Sequence, residues 1–221
     1  MDTTPSAPST LRRRGRPPKG SSAPAETRTA VVRAGVALLT EQGVTATGID
    51  QVLKQVGVPK GSFYHYFGSK DAFLREVIHA YGDYFGRKLA RHFEHSDLPP
   101  LQRIESFVAD AAAGMARHDF RRGCLAGNLG QEVGALSDEL RAAVVATFAD
   151  WEARLAHCLS LAQARGDIAA DADVRELATA FWTAWEGAVL RARLERDATF
   201  LFRHARNFIA ALPRPKPSTP A

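Results

Sequence analysis

The chain is poor in sulfur: its 221 residues include two cysteines and two methionines. Cys124 and Cys158 stand 34 residues apart with no CxxC or zinc-ligand spacing, which argues against a disulfide scaffold and a zinc module. With no signal-peptide h-region either, the pattern points to a reduced, cytoplasmic protein. Long hydrophobic runs are also missing. The apolar stretches are short and broken by Arg, Glu or Asp, so no membrane partner is expected. No stretch alternates with period two for long enough to argue a sheet. Catalytic signatures are lacking too: there is no GxSxG, HExxH, P-loop or Rossmann glycine pattern, so no enzyme, metal or cofactor is expected. A Cys124 and His118 dyad is conceivable, but nothing in the sequence supplies an orienting third group.

Net charge is nearly absent from the body of the chain. The formal total is +5, yet residues 1–24 alone hold Arg12, Arg13, Arg14, Arg16 and Lys19 against Asp2. Residues 213–221 add Arg214 and Lys216, which leaves residues 25–212 with 22 basic and 23 acidic groups. A basic arm on a neutral body suggests a polyanionic partner. Both end segments are Pro-rich, polar and low in complexity, and are expected to be disordered in isolation.

What is present is helical spacing. Val31, Ala34 and Leu38 form a first stripe that ends at Gly43. Ile49, Val52 or Leu53, and Val56 form a second, with Thr47 as the expected N-cap and Gly57 as the stop. A short element follows from Pro59 to Phe67, and Ser69 then caps a helix carrying Phe73, Val77 and Tyr81. Longer helices come next: Leu101 to Met115 behind Pro99 and Pro100, Leu140 to Leu155 behind Ser137 and closed by Gly166, Leu177 to Ala188 behind an Asp173 and Glu176 capping box, and a last one over residues 197–212. The expected fold class is all-α, with about nine helices, the first three short. His92 and His95, three apart, lack further metal ligands and are expected to be solvated.

Residues 48–67 place two short helices around a tight glycine turn, the layout of a helix-turn-helix. Phe63 and Phe67 face inward, which leaves Lys60, Ser62, Tyr64 and His65 to face DNA. Gly61 and Ser62 allow close approach to base edges, and Lys70 can reach a phosphate. The competing reading is an ordinary helical hairpin. In the arm, Arg14-Gly15-Arg16-Pro17 resembles an AT-hook, in which Arg14 and Arg16 would lie along a minor groove. The plainer reading is a solubilising tail with nonspecific phosphate contacts.

The run from Gly48-Ile49-Asp50-Gln51-Val52 through Gly57-Val58-Pro59-Lys60-Gly61-Ser62-Phe63-Tyr64-His65-Tyr66-Phe67-Gly68-Ser69-Lys70 resembles the TetR family of one-component repressors. Pro59 departs from the Ser or Thr usual at the start of the reading helix, but proline is tolerated in a first turn. The resemblance implies a homodimer on palindromic operator DNA. It divides the chain into a basic arm (1–24), a helix-turn-helix head (25–71), a ligand-binding and dimerisation domain (72–212) and a tail (213–221). It also implies that Lys60, Gly61 and Ser62 lie near base edges, and that Thr47, Tyr64, His65 and Lys70 hold phosphates.

The sensing segment is Gly114 to Glu132. Asn128, Gln131 and Glu132 share a helical face, with Cys124 one turn earlier. Polar groups among small apolar residues can orient a ligand, or can cap helices and satisfy buried backbone. The segment, with Phe181-Trp182-Thr183-Ala184-Trp185-Glu186-Gly187, resembles a TetR subgroup of electrophile-responsive repressors. That implies an inducer such as acrylate or a related reactive compound, adding to Cys124, with Arg121, Arg122 or a helix N-terminus favouring the thiolate or a carboxylate ligand. Noncovalent contact and inert packing stay open for Cys124. Cys158 is expected in the core. Trp182 and Trp185 are expected in the core or an interface, and Glu186 as a ligand-binding or hydrogen-bonding group. The competing functions are a constitutive architectural DNA binder and a thiol-based sensor with a different inducer.

Overall fold

The computed structural model describes residues 23–215. Arg14 and Arg16 therefore lie outside the described residues. The described chain is all-α: α1 (Ala23–Gln42), α2 (Ile49–Gln55), α3 (Lys60–Phe67), α4 (Lys70–Phe93), α5 (Pro100–Ala116), α6 (Leu125–Gln131), α7 (Asp138–Ala164), α8 (Val174–Glu195) and α9 (Thr199–Ala211), with a 3-10 turn at Val133–Ala135. None of these helices is long and apolar enough to cross a membrane.

Four of the nine described helices start at side-chain caps that satisfy the first free N–H groups. Ser69 Oγ accepts from Ala72 N at 3.0 Å, Ser137 Oγ accepts from Leu140 N at 3.5 Å, and Asp173 Oδ1 accepts from Arg175 N at 2.9 Å. Thr47 is a correction. Gly48 is the N-cap of α2, while the Thr47 side chain is buried and its hydroxyl donates to the Gly43 carbonyl at 2.6 Å. The short spacing back to Gly43 lets Thr47 stitch the α1–α2 turn, so its hydroxyl faces the interior and not a phosphate.

Two boundaries also differ from expectation. α1 begins at Ala23, inside the segment assigned to the arm, and α4 runs unbroken from Lys70 to Phe93 across residue 72. At the other end, Pro213 O accepts from Ala169 N at 2.9 Å and Arg214 donates to Asp167 O at 3.1 Å. The first residues of the expected tail are thus tied to the turn between α7 and α8.

The head is a small core of Val31, Leu38, Val52, Leu53, Phe63 and Phe67, continued by Phe73 at the base of α4. The larger core lies where α4, α5, α7 and α8 meet. Trp151 and Trp182 are fully buried there, and Trp182 Nε1 donates to Trp151 O at 3.0 Å. Phe85 stacks obliquely on Trp151 with ring centroids 4.4 Å apart. Burying one such ring contributes about 2–3 kcal/mol. Cys158 is in this core, as its helical position predicts. His92 is not solvated: its side chain is 15% exposed, and its ring lies 3.0 Å from Ser106 Oγ and 3.2 Å from Asp110 Oδ2.

Candidate DNA interface and sensing cavity

α3 presents a polar outer face because its apolar residues are four apart. Phe63 and Phe67 are buried against Phe73, with centroid distances of 5.4 and 5.1 Å. Lys60, Gly61, Tyr64 and His65 are exposed, and Ser62 is half-buried. Tyr64 is 57% exposed, unusual for so large a ring, and packs edge-on against Phe63 at 5.3 Å. Lys60 Nζ sits 2.8 Å from Asp50 Oδ2 on α2, an exposed pair that raises the lysine pKa chiefly through that hydrogen bond. Such a pair is weak in water and leaves Lys60 free to exchange partners. Lys70 is exposed at the start of α4.

The head is bolted to the larger domain through α6. Glu132, at the C-terminal end of α6, accepts from Val44 N at 3.1 Å and Thr45 N at 2.6 Å. Asn128 Nδ2 donates to Thr40 O at 2.8 Å and Leu39 O at 3.3 Å, carbonyls in the last turn of α1. Arg193 of α8 completes the joint: it donates to Asn128 Oδ1 and to Glu41 O, both at 2.9 Å. Asn128 and Glu132 therefore join the head to the larger domain and do not line the cavity described next. Gln131 is exposed.

A cavity of about 950 Å³ opens between α1, α4, α5 and the segment that precedes α6. Its apolar inner end is formed by Tyr81, Phe85, Met115, Trp185 and Val189, with Cys124 among them. Cys124 is the N-cap of α6, and its Sγ accepts from Gly127 N at 3.3 Å. The Tyr81 hydroxyl and the Glu186 carboxylate stand beside the thiol. Glu186 lies so close to Gly127 that a Cβ there would overlap Oε2, which ties this approach of α8 to a glycine on α6. Glu186 Oε1 is buried and accepts no hydrogen bond from the described residues.

Burial dominates the titration of this group of residues. It lifts Glu186 to about 7, offset in part by the neighbouring Cys124 thiol. It pushes the Cys124 thiol well above its ordinary value, and the Glu186 charge pushes it further. Tyr81 is likewise raised well above its usual value, first by burial and then by Cys124. The expectation that Arg121 and Arg122 favour a thiolate is corrected here. Arg121 Nε and Arg122 Nε turn to Glu41 of α1, at 3.2 and 3.7 Å, and the resting thiol is neutral. His118 and Arg122 remain at the cavity wall, whereas Trp182 is in the core.

Comparison with known proteins bears directly on this architecture. Residues 31–77 match the description "Bacterial regulatory proteins, tetR family", and residues 100–208 match "Tetracyclin repressor-like, C-terminal domain". The chain is 48% identical to the transcriptional regulator AcuR of Cereibacter sphaeroides, over 94% of each chain. It belongs to the TetR family of transcriptional regulators. A crystal structure of regulatory protein TetR from Rhodobacter sphaeroides superposes with a TM-score of 0.81 at 47% identity, covering 84% of this chain and 98% of that one. The reduced form of Escherichia coli NemR gives a TM-score of 0.76 at 25% identity, covering 86% and 100%.

Four residues of this TetR-family regulator escape motif reading: Tyr81, Lys88, Arg117 and Arg193. Tyr81 and Lys88 had a legible signal, since with Phe85 they follow one another at four- and three-residue spacing on the buried face of α4. Arg193 had none, because its partners lie 65 and 152 positions away in the chain.

Proposed function

We propose that the protein is a ligand-responsive repressor that binds a palindromic operator as a homodimer and is released when a small electrophile enters the cavity and adds to Cys124. The observation that carries this reading is the placement of Cys124 at the inner end of the cavity, between Tyr81 and Glu186, at the start of the helix whose far end clamps the head. Acrylate or a related activated alkene suits the chemistry. The Cys124 S–H bond breaks as sulfur bonds to the β-carbon of the alkene. Glu186 accepts the thiol proton, which then passes to the α-carbon, so the product is a thioether and Glu186 returns to its starting protonation. A carboxyl group titrating near 7 suits that exchange better than an ordinary one.

Several features support the rest. Tyr64, His65, Lys60 and Ser62 lie on the outward side of α3 or beside it, where a recognition helix meets the major groove, and Lys70 extends the same surface toward a phosphate. Leu190 and Leu194 on α8 and Phe202 on α9 are exposed apolar side chains, at 41%, 71% and 43%, which suit a dimer seam. An adduct at the N-cap of α6 displaces that helix, and Glu132 and Asn128 pass the displacement to α1.

The test is a mobility-shift assay on DNA upstream of the protein's own gene, titrated with acrylate, an acryloyl thioester and a maleimide. Release by the wild type with loss of response in Cys124→Ser supports the reading. A normal response in Cys124→Ser removes covalent sensing, and failure of every electrophile removes the inducer assignment.

A further inference from the structure

The cavity is far larger than a three-carbon acid needs, and its outer half carries a different chemistry. Lys88 Nζ and Arg117 Nη2 converge on the bare backbone of Gly114, where an added Cβ would stand 3.7 and 3.6 Å from them. Lys88 is an unusual lysine, with its side chain only 7% exposed. Asp110 Oδ2 stands 3.2 Å from its amine and is shared with His92, while the positive charges of Arg117 and Arg91 also act on the amine. Arg117 itself forms no ion pair among the described residues. Two cations, Lys88 and Arg117, thus meet at the cavity wall over Gly114 with the Asp110 carboxylate paired to the first, an arrangement that favours a further negative group.

We infer that this slot over Gly114 binds an anionic group, carboxylate or phosphate, on the distal end of an elongated inducer whose reactive end lies against Cys124. The inference rests on the proposed sensing at Cys124 and narrows the ligand class. Lys88 stands seven residues beyond Tyr81 on α4, a rise of about 10 Å at 1.5 Å per residue. Acrylate spans about 4 Å by ordinary bond lengths and does not reach from one end to the other. A ligand with an activated alkene, a linker of several atoms and a terminal anion does. The apolar wall between the ends, Phe85 and Met115, suits the linker.

The test uses the full chain and three probes with one electrophile: N-acryloylaminohexanoate, its uncharged methyl ester and N-acryloylaminopentyl phosphate. Cys124 adduct formation is followed by intact mass, and operator release by mobility shift. Both anionic probes are expected to modify Cys124 roughly tenfold faster than the ester, the scale of one charge-assisted contact. The faster of the two identifies the preferred anion. Arg117→Met and Gly114→Ala are expected to abolish the preference while leaving the ester rate unchanged. Neither threatens the fold, because Arg117 is exposed and a Cβ at Gly114 meets only ordinary contacts. Equal rates for acid and ester in the wild type overturn the slot and leave Cys124 sensing standing. If no probe modifies Cys124, the sensing proposal fails instead, and calorimetry with saturated N-propionylaminohexanoate decides the slot. Binding that Gly114→Ala loses supports it, and no binding to the wild type overturns it.

Discussion

The carboxylate of Glu132 occupies the space in which a side chain on Gly43 would stand. Gly43 closes α1 at φ +82°, a left-handed conformation that glycine adopts without strain, and Glu132 fills the gap while accepting from the next two backbone N–H groups. One glycine therefore sets both the turn that closes α1 and the seat of α6. Gly43→Ala is expected to destabilise the protein by roughly 1–3 kcal/mol, read as a lower urea midpoint. An unchanged midpoint would show that Glu132 swings away at no cost.

Removing the other partner separates stability from coupling. Glu132→Ala strips the acceptor from Val44 N, which belongs to a buried residue, and is expected to cost about 1–3 kcal/mol. The variant should still bind operator, yet need more inducer for release, because α6 no longer pulls on α1. Inducer sensitivity equal to wild type would place the coupling elsewhere.

Glu186 makes stability depend on pH in an unusual direction. Its carboxyl binds a proton more tightly in the folded state, with a pKa of about 7 against the ordinary 4.5, so the folded form is favoured as pH falls. As pH rises from about 4.5 to about 7, this group withdraws roughly 3 kcal/mol of stability, after which its contribution levels off. Urea denaturation at several pH values should give a wild-type curve that declines through that window and a flatter one for Glu186→Gln. Parallel curves would place the ionisation of Glu186 elsewhere.

The same residue should control the rate of thiol modification. With the Cys124 thiol held neutral by burial, addition requires a base, and Glu186 is the carboxylate beside it. Glu186→Gln is expected to slow adduct formation by roughly 100-fold, within the range of general base catalysis. A rate unchanged from wild type would mean that the thiol loses its proton directly to water.

At the head, Lys70→Ala is expected to weaken binding to specific and nonspecific DNA alike and to lower the salt slope by about one. Tyr64→Ala should also weaken operator binding. Thr47→Ser should leave it unchanged, because that hydroxyl serves Gly43 and a serine can do the same. A loss of affinity in Thr47→Ser comparable with that of Tyr64→Ala would contradict the inward orientation.

The sequence by itself determined the helical class, the placement of Phe63 and Phe67 behind the reading face, and the starts at Ser69, Ser137 and Asp173. Each depends on residues within a turn or two of one another, where helical period and cap chemistry act. Thr47 shows the limit even at short range, since two acceptable local hydrogen-bonding roles compete and packing selects the buried one. Only the tertiary structure decided that Asn128 and Glu132 hold the head, that Arg121 and Arg122 turn to Glu41 and away from Cys124, and that Lys88 and Arg117 meet over Gly114. It also decided the protonation state of Cys124. Cation spacing in the sequence argued for a thiolate, whereas burial beside Glu186 outweighs it, because the energy of a charge depends on the solvent it loses as well as on its neighbours in the chain.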